Sequence, residues 1–208
     1  TDDGHDVTSK EVYKHGTATL SNCHEKFAFE NVGVNIRARG NSTFGAPKKP
    51  FRLKFDKKQE MLGLNGGKAY KSWVLMADYY DGSMLRTFGT FKFAKALMES
   101  KYYSSDCTHV EVYLNGEYRG VYLLCEQTQI NRGRVDIPEK EDGDTSLEHG
   151  YLMIGVGGQA DEPELINIPI DLHITDRTGQ TRYYHSINFT LSGGTYTGEQ
   201  KAYVSRYV

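Results

Sequence analysis

Apolar and polar positions alternate with period two over several stretches of this chain. Val32, Val34, Ile36 and Ala38 take turns with Gly33, Asn35, Arg37 and Arg39, the pattern of a strand with one buried face. Residues 40–47 hold Gly, Asn, Ser and Pro, and Phe51-Arg52-Leu53-Lys54-Phe55 then alternates again, so the two strands form a hairpin with a long connection. Pairing their apolar faces inward crowds Arg37, Arg39, Arg52 and Lys54 onto one surface, with Lys48 and Lys49 in the loop above it.

The same reading gives a short strand within residues 12–20 and a buried one at Trp73-Val74-Leu75-Met76. A helix is predicted after Asp81 as N-cap, with Met84, Phe88, Phe91, Lys95 and Met98 at helical spacing and Leu85, Ala94 and Leu97 widening a core-facing stripe. Val110, Val112 and Leu114 lead to Asn115-Gly116, the dipeptide of a type I′ turn, and the apolar run Gly120–Cys125 returns as a central strand. Residues 139–148 read as a charged surface loop. Strands follow at 151–154, 165–174 and 183–191, separated by Gly157-Gly158 and by Asp176-Arg177-Thr178-Gly179. Thr197-Gly198-Glu199-Gln200 fits a capping box opening a helix whose stripe runs through Tyr203, Val204, Tyr207 and Val208. Neither glycine nor proline closes that helix, so the expectation is one α+β domain over 1–208 cut short at its C-terminal end. Its expected core is a strand-rich, twisted, mainly antiparallel sheet with a core helix.

Composition narrows the function classes. A formal charge of -2 over 208 residues gives no global electrostatics for nucleic acid, so any basic site is local. No apolar run approaches the roughly 18 residues of a membrane-spanning helix. Fifteen tyrosines and nine phenylalanines suit half-buried strands. Cys23, Cys107 and Cys125 make no CxxC pair, which argues against zinc and permits at most one internal disulfide; buried thiols are the simpler reading.

The sharpest chemistry lies at Arg39-Gly40-Asn41-Ser42-Thr43 followed by Lys48-Lys49-Pro50. A glycine- and serine-bearing loop can aim N–H groups at an anion while neighbouring Lys and Arg neutralise phosphate charge. Neither GxxxxGK[ST] nor GxGxxG occurs, and spacing alone favours a solvated basic hairpin face over a phosphate site. Asp78, Asp81 and Asp106 read as turn and cap residues before metal ligands. Arg86, in the first turn of its helix, calls for a nearby acid. The seven histidines show no HExxH spacing, and GxSxG is missing.

Taken in order, Arg39-Gly40-Asn41-Ser42, Pro47-Lys48-Lys49 into Phe51–Phe55, Asp81 with Met84-Leu85-Arg86, and Val112–Leu124 leading to Glu126 resemble successive motifs of the CotH kinase family. The likeness covers about residues 32–137, with a weaker echo at 197–203. It implies the first part of an atypical protein-kinase-like fold that uses ATP and magnesium to phosphorylate serines of secreted, spore-coat or cell-surface proteins. By the same resemblance Arg39 and Lys49 face the nucleotide phosphates, Arg52 and Lys54 lie nearby, and Glu126 lies at the nucleotide cleft. The family's later acidic segments, an Asn-Asp type and a Pro-Trp-Asp, are missing here: Trp73, the one tryptophan, precedes Val74. The expectation is therefore no catalytic residue and no metal ligand in this chain, which alone is inactive. The rival reading is a non-catalytic surface or carbohydrate-associated binding module on the same scaffold.

Overall fold

The computed structural model of the chain describes residues 1–98, 101–156, 165–192 and 194–207. These fall into two compact units, residues 1–128 and 129–208. Gly157-Gly158 and Val208 lie outside the described residues.

The first unit is a curled six-stranded antiparallel sheet in the order β1-β2-β3-β4-β6-β5. Its strands are β1 (Lys14–Leu20), β2 (Phe29–Ala38), β3 (Phe51–Gln59), β4 (Tyr70–Met76), β5 (Cys107–Leu114) and β6 (Glu117–Glu126). The alternations read from the sequence set the register. Ile36 pairs with Leu53, Leu53 with Trp73, Phe51 with Leu75 and Leu75 with Leu124, so one face collects the apolar residues. On that face Ala38, Phe55, Trp73, Tyr122 and Leu124 are almost fully buried. The Trp73 indole N–H donates to the carbonyls of Gln59 and Tyr70, so even its polar edge is satisfied. The β5–β6 turn carries Asn115 and Gly116 both at positive φ (53° and 83°), as a type I′ turn requires.

One expectation needs correcting. The helix after Asp81, α1 (Arg86–Met98), is not a core helix: none of its residues is buried, and Leu85 just before it, Phe93 and Leu97 are 58%, 70% and 67% exposed. It rests on the outer face of the sheet through Phe88 and Phe91, against Val74, Cys107, Leu123 and Cys125. Its start also lies later than the spacing predicts. Met84 adopts positive φ (56°), and the Asp81 carboxylate accepts from the backbone N–H of Arg86 (2.9 Å) and of Ser83 (3.1 Å), capping a helix that opens only at Arg86.

The second unit holds a three-stranded antiparallel sheet, β7 (Leu152–Val156), β8 (Leu165–Thr175) and β9 (Thr181–Ser192), in the order β7-β9-β8, with helix α2 (Gly198–Ser205). Ile166, Leu191, Tyr196 and Val204 form its core. The capping box is formed: the Gln200 N–H donates to the Thr197 hydroxyl (3.2 Å), and the Thr197 N–H donates to the Gln200 side-chain carbonyl (2.9 Å). The buried Gln200 amide also donates to the carbonyls of Asp144 and Ser146, so this cap anchors the loop read as surface from its charges.

Candidate functional site

The outer face of the first unit's sheet is crossed by rows of paired residues. One row runs Arg37, Arg52, Val74, Cys125, Cys107 across β2, β3, β4, β6 and β5. The next row toward the loop begins with Arg39, whose backbone N–H donates to the Pro50 carbonyl. The row on the other side begins Asn35, Lys54, Ser72. The outer face is therefore cationic over β2–β3 and apolar, covered by α1, over β4, β6 and β5.

Arg37, Arg39 and Arg52 converge on one cavity of about 540 Å³, lined also by Lys10, Glu11 and Gly40. Arg37 donates to the Lys10 carbonyl and lies 5.0 Å over the Tyr13 ring, which orients it, yet its Nε has no partner. The Nε of Arg52 is likewise buried and unmatched, and among the described residues no carboxylate pairs with any of the three. Burial first, then the nearby charges of Arg52 and Arg37, pulls Arg39 below arginine's ordinary pKa. A guanidinium stays protonated even so, and the cluster is a standing site of positive charge.

Gly40 shapes the rim. Its φ is +97°, and a Cβ there would come within 2.1 Å of the Thr43 hydroxyl, so the Arg39-Gly40-Asn41 bend is closed to larger residues. Arg39 also lines an adjoining cavity of about 310 Å³ with Asp78, Asp81, Arg86 and Thr87. There Asp78 sits at positive φ (44°), accepts from the Thr87 hydroxyl (3.1 Å) on one oxygen, and keeps its other oxygen buried without a partner. Arg86 meets the acid its position demands, Asp81, at 3.7 Å, though it is 83% exposed.

The other residues singled out from the sequence do not join this cluster. Lys49 donates to the Phe44 carbonyl (2.9 Å) and lies against the Phe44 ring; Lys48 donates to the carbonyls of Ala77 (3.0 Å) and Val121 and stacks on Tyr122. Both line a different cavity, together with Arg119 and Tyr122. Lys54 shares the arginines' face one row away and is exposed. Glu126 pairs in register with Trp73, so its side chain lies on the face opposite Arg39. Its carboxylate accepts from the Asn65 amide (2.7 Å) and the Asp106 N–H (3.0 Å).

That corner escaped the sequence reading. Asn65, Gly66 and Gly67 adopt left-handed backbone (φ 53°, 66°, 74°), which turns Asn65 in toward Glu126. Asp106 beside it accepts from Lys92 (2.8 Å) and Lys95 (2.5 Å) of α1. Burial alone would raise the Asp106 pKa, but those two ammonium groups and the N–H groups of Asn65 and Cys107 outweigh it and hold the carboxyl well below the usual carboxylate range. Asn-Gly-Gly in sequence signals a turn; that the turn is aimed at a carboxylate 61 residues away is decided by strand pairing.

The first unit is thus a strand-rich sheet whose outer surface carries three clustered guanidinium groups beside an apolar half covered by α1. The sequence model of the CotH kinase protein family matches residues 36–157, more than half of the chain, and the protein belongs to that family. No curated protein matches the chain. No helix is long and apolar enough to cross a membrane.

Proposed function

We propose that residues 1–208 belong to one CotH-like protein kinase domain and carry its nucleotide-facing part, with Arg39, Arg37 and Arg52 receiving the phosphates of ATP. The observation that supports this most is the cavity on which three guanidinium groups converge, none of them in an ion pair with a carboxylate among the described residues, although Glu11 also lines it. Held together by strand register, they repel one another, and a triphosphate relieves that repulsion with bidentate, charge-assisted hydrogen bonds. Phosphoryl transfer depends on positioning and charge neutralisation, and this wall supplies both on the donor side. Serine hydroxyls of secreted, spore-coat or other surface proteins are the acceptors in this reading, which places the protein outside the cell or in the spore coat. The sheet with α1 on its outer face then corresponds to the first part of an atypical kinase-like fold.

The described residues contain no cluster of three His, Cys, Asp or Glu side chains able to hold a metal. The magnesium that accompanies ATP in this reading would share with the arginines the neutralisation of phosphate charge. Lys49, Lys54 and Glu126 take supporting parts: Lys49 fixes the Phe44 loop, Lys54 adds positive potential to the face, and Glu126 braces the end of β6. The separation of Lys49 and Glu126 from Arg39 favours a second reading, a non-catalytic binding module of the cell surface that uses the same face for another anion.

The test is titration calorimetry of ATP, with magnesium, into the chain and into Arg39→Gln and Arg52→Gln. The expected result is binding by the parent and at least about tenfold weaker binding by each variant, as for loss of a charge-assisted contact. ATP affinity that is undetectable in the parent, or unchanged in both variants, overturns the nucleotide reading; an inorganic polyanion bound in place of ATP favours the second.

A further inference from the structure

Cys107 and Cys125 stand directly opposite one another on β5 and β6, the last pair of the row that begins at Arg37. Both are nearly inaccessible, at 0% and 3% exposure, and both belong to the cluster beneath Phe88 and Phe91 of α1. The kind of pair they form follows from the neighbouring hydrogen bond. The Glu126 N–H donates to the Asp106 carbonyl (3.3 Å), so Asp106 and Glu126 occupy a hydrogen-bonded position of the ladder, where the Asp106 N–H turns to the Glu126 carboxylate instead. In an antiparallel ladder the two kinds alternate, so Cys107 and Cys125 are a non-hydrogen-bonded pair, the kind whose Cα atoms lie about 4.5 Å apart with side chains in closest approach. Disulfides span Cα separations of about 4.4 to 6.8 Å, which puts these two free thiols within bonding range.

We propose that Cys107 and Cys125 are a redox-active cross-strand pair that closes to a disulfide, and reopens, by exchange with a small-molecule disulfide such as that of glutathione. The thiolate of one cysteine attacks a sulfur of the oxidant, forming a mixed disulfide and releasing one thiol. The second cysteine's thiolate attacks its partner's sulfur in that mixed disulfide, forming the Cys107–Cys125 bond and releasing the second thiol. Two protein thiols are oxidised, one disulfide is reduced to two thiols, and the two protons given up by the cysteines end on the released thiolates.

Two features of the surroundings fit reversible chemistry. The thiols are shielded: burial pushes Cys125 up to about 12 and raises Cys107 as well, so neither is a nucleophile while α1 covers it. The cover is light, since α1 contributes Phe88 and Phe91 to the cluster and ties its lysines to Asp106, with no buried residue of its own. Exchange therefore proceeds through local opening of α1, and the closed bond staples β5 to β6 next to Glu126.

An equilibrium measurement separates this from slow kinetics. The Cys23→Ser variant of the whole chain, which leaves only the two opposed cysteines, is equilibrated in mixtures of reduced and oxidised glutathione with and without urea, quenched with acid and alkylated. The expected outcome is an intact mass lower by two hydrogen atoms with no alkylated cysteine. It should come with an effective concentration for the pair at least about tenfold higher in the native state than in urea, and with unchanged far-UV circular dichroism. The proposal is overturned if native protein keeps two alkylatable thiols or stops at a mixed disulfide with glutathione. It is equally overturned if the pair closes no better folded than unfolded, or only with loss of the sheet signal.

Discussion

The two halves of one sheet face have opposite fates. Over β2 and β3 the outward row holds Arg37 and Arg52; over β4, β6 and β5 the same row continues as Val74, Cys125 and Cys107. The apolar half is covered by α1, and the cationic half is left open on a cavity. Structural needs explain the first, because uncovered Val74 and Leu123 would cost hydrophobic free energy. They do not explain the second. Three guanidinium groups in no ion pair among the described residues repel one another, and it is this contrast within one face, more than any single residue, that marks the candidate site.

The contrast can be broken from either side. The largest effect is expected on the covered half: Leu123→Ala, at a position with no exposure, should lower stability by about 2 to 5 kcal/mol in urea unfolding. The tie that holds α1 over that half comes next. Asp106→Asn removes the charge that accepts from Lys92 and Lys95, and a loss of about 1 to 3 kcal/mol is expected. The sign of its pH dependence is set by the depressed carboxyl. In the parent this contribution is fully present above the unfolded carboxylate pKa and is lost as pH falls through the lower folded value. Acid titration of stability should therefore show a component below about pH 4 that Asp106→Asn lacks.

At the rim of the open half, Gly40→Ala forces a side chain onto φ +97° and should cost about 1 to 2 kcal/mol while weakening anion binding, measured by unfolding and calorimetry together. The smallest stability effect is expected at the centre of the cluster. Arg52→Leu removes one of three mutually repelling charges, and its stability should stay within about 0.5 kcal/mol of the parent while its affinity for ATP drops. A large destabilisation by Arg52→Leu would erase the distinction between the halves and make the arginines structural.

Much of this was legible in the chain. The alternation at 32–39 and 51–55 placed Arg37, Arg39 and Arg52 on one face, because period two leaves no other arrangement for a hairpin with one buried side. Asn115-Gly116 and the box at Thr197–Gln200 announced their turn and cap because both are local backbone chemistry. The helix after Asp81 was legible as a helix but not as a surface one, since helical spacing of Phe88, Phe91 and Leu97 does not tell how much of the stripe finds a partner. Glu126 was read from its motif and its run, whereas its facing follows from pairing with Trp73 and is opposite to Arg39.

The sequence by itself thus determined which residues share a face of each strand, where the tight turns fall, and that a local cluster of positive charge exists in a chain of net charge -2. Those properties depend on neighbours a few residues apart. The tertiary structure alone decided that β4 lies between β3 and β6, so that the arginine row runs on into a pair of thiols under α1. It also decided that Asn65 meets Glu126 and that Lys48 and Lys49 are occupied by carbonyls away from the arginines. Such encounters join residues far apart in the chain, and what selects them is the closure of one apolar face into a core, a condition on the whole sheet that no local pattern carries.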